Sequence, residues 1–139
     1  MITFKKVKVC FLLIFIFANF FYVNPCYSLS SRENLFKTAL DLSSVGKFNL
    51  ALQEWNRYLD SYPDDAAGLS NRGNVRLVMG DLEGSVDDQN KAIILNPNEI
   101  DPYINRGIAE EALGQWSQAR KDYMFVISRD SKNFSALYN

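Results

Sequence analysis

The chain has 139 residues, 47% hydrophobic and 22% charged, with 15 basic against 16 acidic side chains and no histidine. Those values fit one ordinary folded domain and exclude a disordered or fibrous chain. The slightly acidic balance also excludes a nucleic-acid binder, which needs a basic stripe to displace counterions from phosphate.

Residues 1–28 come first in chain order. Lys5, Lys6 and Lys8 precede an apolar run from Val9 to Val23, and a short polar exit ends in Cys26-Tyr27-Ser28. A positive start, an apolar run and a small-residue exit form the layout of a secretory signal peptide, with cleavage expected after Ser28. The alternative is an uncleaved anchor at residues 9–23, because that run approaches the roughly 20 residues that span a bilayer. On either reading the remainder is exported, to a periplasm or a thylakoid lumen, and a membrane is met only through an uncleaved N-terminal segment. Both cysteines, Cys10 and Cys26, fall in the leader, so the rest of the chain has no thiol, disulfide or cysteine metal site. Removing Lys5, Lys6 and Lys8 as well leaves 12 basic against 16 acidic side chains, a net charge of −4.

From Arg32 onward the sequence repeats itself every 34 residues. Asn71-Arg72-Gly73 returns as Asn105-Arg106-Gly107, and Gly46, Gly80 and Gly114 share the interval. Three blocks follow without insertion, residues 32–65, 66–99 and 100–133, and residues 134–139 open a fourth. A period of this length points to a solenoid of small identical units. In the first block Leu35, Ala39 and Leu42 recur at helical spacing, and Phe48, Leu52, Trp55 and Leu59 do so after Gly46. The unit is therefore helix, turn, helix, turn, with glycine at each tight turn and Pro63 or Pro97 after the second helix. Ala39, Gly73 and Gly107 in the first helices leave room for Trp55, Gln89 and Tyr123 in the second.

These features closely resemble the tetratricopeptide repeat family. Leu35, Leu69 and Tyr103 match its first large apolar place, Gly73 and Gly107 its glycine, Ala51 and Ala119 its first alanine, Ala92 the second, and Pro63 and Pro97 its proline. The resemblance implies an all-α fold of three tandem helix-turn-helix repeats in a short right-handed solenoid, preceded by the signal peptide or signal-anchor helix. Gln89, Arg76 and Glu110 depart from the family pattern and loosen the expected packing of the second and third blocks.

Arg72 and Arg106 occupy a place that is usually leucine. A guanidinium there must find an acceptor or reach water. Asp88 and Asp122 stand 16 residues later on the returning helix, so ion pairs Arg72–Asp88 and Arg106–Asp122 are expected to clip each hairpin. The functional alternative is recognition of a ligand carboxylate by the planar fork.

The resemblance also implies that the first helices line a concave face, with Asn71 and Asn105 turned into it. An amide donates and accepts, so a ladder of asparagines can hold the backbone of an extended peptide whatever its side chains. The other expected groove residues are Phe36, Leu40, Asn74, Leu77, Ile104 and Ile108. The alternative is that the two asparagines bond only to backbone or to each other. A basic clamp for a terminal carboxylate is rejected, because Phe36, Leu40, Ile104 and Ile108 hold the places that would need lysine or arginine. The acidic pairs Asp64-Asp65, Asp87-Asp88 and Glu110-Glu111 read as helix starts or solvated faces, without the loop spacing of a calcium site. Phe48, Trp55 and Trp116 read as core.

The reading is a non-catalytic protein–protein interaction module, an exported scaffold, adaptor or assembly factor that binds peptide segments of other proteins. No catalytic, cofactor or metal site is expected. Alternatives are a truncated or degenerate repeat protein, or an accessory fragment of an enzyme. The short segment 134–139 leads to two expectations, a homodimer capped through the C-terminal end or a piece of a longer array.

Overall fold

The computed structural model describes residues 25–129. The leader through residue 24 and residues 134–139, on which the signal and C-terminal expectations rest, lie outside the described residues. Among the described residues the chain is all helix: α1 Pro25–Ser44, α2 Phe48–Ser61, α3 Ala66–Met79, α4 Leu82–Leu95, α5 Asp101–Ala112 and α6 Trp116–Arg129. Residues from Asn34 onward form one unit, and the architecture below is that unit's. Among the described residues, no helix is long and apolar enough to cross a membrane.

The helices pair in sequence, α3 with α4 and α5 with α6, and the pairs stack through α2 on α3 and α4 on α5. The turns inside the pairs form because Gly46, Gly80 and Gly114 all adopt positive φ, at 74°, 85° and 75°. At Gly80 the left-handed residue ends α3 by donating its N–H back to the carbonyls of Arg76 and Leu77, a conformation costly for any residue with a Cβ. The starts of α3 and α4 are capped by aspartates. Asp65 Oδ1 accepts from the Gly68 N–H at 2.7 Å and Asp81 Oδ1 from the Gly84 N–H at 3.1 Å, each satisfying a donor that the helix leaves open.

The close approach within the hairpins sets their spacing. A Cβ on Gly73 would lie 2.6 Å from Gln89 Nε2, and one on Gly107 would lie 2.6 Å from Tyr123 Cε1. The small-opposite-large pairing read from the sequence is therefore literal at both positions.

The core is interrupted. One apolar cluster gathers Ala39, Ala51, Trp55, Tyr58, Leu59, Leu69, Val75 and Ala92, and a second gathers Ala119, Tyr123 and Val126. In the first, Phe36, Trp55 and Tyr58 meet edge to face, with ring centroids 5.0 to 5.9 Å apart. Between the clusters α4 buries Ser85, Asp88 and Gln89, all at most 1% exposed. This corrects the expectation of looseness at Gln89: the side chain is fully buried, and its Nε2 donates to the Ser70 carbonyl at 3.0 Å. The departure takes the form of unmet polarity, since Gln89 Oε1, Ser85 Oγ, Arg76 Nε and Glu110 Oε2 are buried without a hydrogen-bond partner.

Three sequence readings change. Asp88 and Glu110 are buried, at 1% and 7% exposure, and so are not on solvated faces. Trp116 is 65% exposed and outside the core, because helical spacing gives a residue a face but not a neighbour to cover it. It lies with Met124, Tyr123 and Ile127 along an open hollow of about 310 Å³ on α6.

Candidate functional site

Three arginines, Arg72, Arg76 and Arg106, form a network of ion pairs across the hairpins of the unit. Arg72 grips Asp88 with both arms of its fork, Nε to Oδ2 at 2.8 Å and Nη2 to Oδ1 at 2.7 Å. Arg106 holds Asp122 in the same way at 2.7 and 2.6 Å. The pairs expected from the 16-residue spacing are present. A second partner, which the sequence reading missed, lies on the preceding repeat: Arg72 Nη1 donates to Asn56 Oδ1 at 3.0 Å, and Arg106 Nη1 to Asn90 Oδ1 at 2.6 Å. Each guanidinium thus bridges three helices. The signal was available, because Asn56 and Asn90 precede their arginines by 16 residues, as the aspartates follow by 16.

Arg76 adds a second guanidinium to Asp88, Nη1 to Oδ2 at 3.0 Å, and donates to the Gly84 carbonyl at 3.1 Å. The hydrogen bond to Asp122 and its negative charge raise the Arg106 pKa against the opposing effect of burial. Burial raises the pKa of the Glu110 carboxyl, and the charge of Asp122 adds to this while Arg106 opposes it. All three arginines are therefore engaged by internal acceptors.

The asparagines stand elsewhere. A cleft of about 300 Å³ lies between α3 and α5, and Asn71, Asn74, Ile104 and Asn105 line it. Ser70, Glu99 and Asp101 also line it and were not among the residues expected. Asn71 Nδ2 donates to the Ala67 carbonyl one turn back at 2.8 Å, which leaves its oxygen for another donor. Asn105 makes no side-chain hydrogen bond among the described residues. The remaining expected residues are not part of this cleft. Phe36 packs on Trp55 and Tyr58, Leu40 is 42% exposed on α1, and Leu77 and Ile108 are half-buried.

A stack of helical hairpins with a polar cleft between successive first helices is the tetratricopeptide-repeat fold. No protein-family profile matches the chain. Among solved structures it is similar to the first tetratricopeptide domain of Spaghetti (RPAP3) bound to the HSP90 peptide SRMEEVD. That similarity has a TM-score of 0.74 and 25% identity, over 76% of this chain and 84% of that one. Among curated proteins it is 31% identical over 108 residues to human sperm-associated antigen 1, and 31% identical over 112 residues to RNA polymerase II-associated protein 3 of Xenopus laevis. Those matches take in 77% and 78% of this chain but only 12% and 16% of the relatives, so the chain spans a small part of their length. Together these similarities support the tetratricopeptide-repeat fold and family for this chain.

Proposed function

We propose that this chain is a non-catalytic interaction module that holds an extended peptide of another protein in the α3–α5 cleft. The observation that carries the reading is the row of Asn71, Asn74 and Asn105 along one cleft, with acceptor and donor capacity left over at Asn71 and Asn105. Amide groups facing a groove suit a peptide backbone, which offers a donor and an acceptor at each residue. The similar structures lend support, since the first RPAP3 domain holds an HSP90 peptide and the second an HSP70 peptide.

The role is that of an exported scaffold, adaptor or assembly factor, supported by the Lys5, Lys6 and Lys8 start and the apolar run to Val23. Expression with a secretion system tests the location through the intact mass of the exported product. A mature chain beginning at Leu29 is the expected result, and a chain retaining Met1 in the membrane fraction contradicts cleavage.

For the cleft, replacing Asn71 and Asn105 together by alanine should weaken peptide binding by up to about 2 kcal/mol, near 1 for each hydrogen bond, with the fold intact. Affinity of wild type and variant for peptides selected from a displayed random library measures this. Equal affinity at equal helicity would remove the asparagines from the binding surface.

A further inference from the structure

We propose that the peptide held in the α3–α5 cleft carries a lysine or arginine side chain, which Glu99 and Asp101 receive. The proposal rests on the peptide-binding reading above and adds the chemistry of the occupant.

The residues lining the cleft include two carboxylates and no basic side chain. Both carboxylates are exposed, and neither takes part in an ion pair among the described residues. This sets them apart from Asp88 and Asp122, which are buried and bound by arginine. The start of α5 accounts for part of Asp101, since an acid in the first helical turn meets the positive end of the helix dipole. It does not account for Glu99, which precedes the helix and caps nothing. Two like charges along one concave cleft reinforce each other's potential and raise the local concentration of cations.

Charge complementarity therefore selects a basic segment. It also disfavours an acidic one, because Arg72, Arg76 and Arg106 are committed to internal aspartates and cannot turn to a ligand carboxylate without leaving buried charge behind. On this basis the occupant differs from the acid-rich SRMEEVD peptide seen on the similar RPAP3 domain. The asparagines would hold the backbone and the carboxylates one side chain, so that position along the peptide is read by charge.

The test uses the full chain and a displayed library of short random peptides. Selected peptides should be enriched in lysine or arginine at one position. Their binding should weaken with added salt. The Glu99→Gln/Asp101→Asn variant should bind the best of them about tenfold more weakly, and replacing the peptide's basic residue by norleucine should cause a similar loss in wild type but little further loss in the variant. Peptides that bind through Asn71 and Asn105 without basic enrichment would overturn the charge rule and keep the cleft reading. Selection of acidic peptides would overturn it equally. Capture of no peptide by folded wild-type protein would overturn both.

Discussion

Replacing Asp88 by alanine will lower the stability of the chain by about 3–5 kcal/mol, the range for breaking a buried ion pair from one side. Asp88 is 1% exposed, and its two oxygens hold Arg72 and Arg76 together. With the carboxylate gone, Arg72, 15% exposed at the side chain, is left without a counter-charge among the described residues, and Arg76, 23% exposed, keeps only Asp81, whose Oδ2 lies 3.5 Å from its Nε. Leaving either in place is costly, and moving either to water disturbs the α3–α4 hairpin. Chemical denaturation of wild type and variant measures the loss. The control is a variant that also removes the cations, Arg72→Met/Arg76→Met/Asp88→Leu, which should regain much of the lost stability because no charge is then stranded. A loss below about 1 kcal/mol for Asp88→Ala would mean that water already screens the site.

The second large effect runs against helix propensity. Glycine inside a helix is less favourable than alanine by roughly 1 kcal/mol, so Gly107→Ala would stabilise an isolated α5. In this structure the new methyl group would lie 2.6 Å from Tyr123 Cε1 and 3.0 Å from Cζ. The ring cannot swing away freely, since Tyr123 is 5% exposed and its hydroxyl donates to Glu111 Oε2 at 2.9 Å. Overpacking of this kind costs about 1–3 kcal/mol, and a lower melting temperature is the expected result. Pairing the substitution with Tyr123→Leu should recover stability beyond the sum of the separate effects, the mark of direct contact in a double-mutant cycle. A higher melting temperature for Gly107→Ala alone would show that the α5–α6 hairpin opens at little expense.

The repeat, its turns and the hairpin contacts were legible because each rests on a local rule. A period of 34 sets the unit, positive φ demands glycine at residues 46, 80 and 114, and a 16-residue separation returns a side chain to its neighbour across an antiparallel pair. The inter-repeat bonds from Asn56 and Asn90 obey the same separation in the other direction, but reading them requires knowing that successive pairs stack in register. The inward position of Gln89 was readable from the small Gly73 opposite it, whereas burial of Asp88 and Glu110 was hidden because polarity alone says surface, and only a partner such as Arg72 makes the interior acceptable. The cleft was half legible. The family resemblance placed Asn71 and Asn105 there and helical spacing added Asn74 and Ile104, whereas Glu99 and Asp101 enter from the connector between repeats and the first turn of α5, where periodicity has no hold. Phe36 shows the reverse error, since a residue at groove spacing on α1 packs with Trp55 and Tyr58 in the core.

The three-helix bridges at Arg72 and Arg106 have a further consequence. Sliding one hairpin along its neighbour by a single helical turn, about 5.4 Å, would leave a guanidinium arm without its asparagine, so the fastener rejects wrong alignment. It does not distinguish one copy from another. Asn56 and Asn90 present the same acceptor to the same fork, and either arginine could donate to either asparagine. The order of the blocks is therefore held by the connectors at residues 62–65 and 96–100, whose shortness keeps each hairpin near its own neighbour at an effective concentration of about millimolar or more. Lengthening a connector would weaken that advantage without altering a single contact, and hairpins would then trade between molecules.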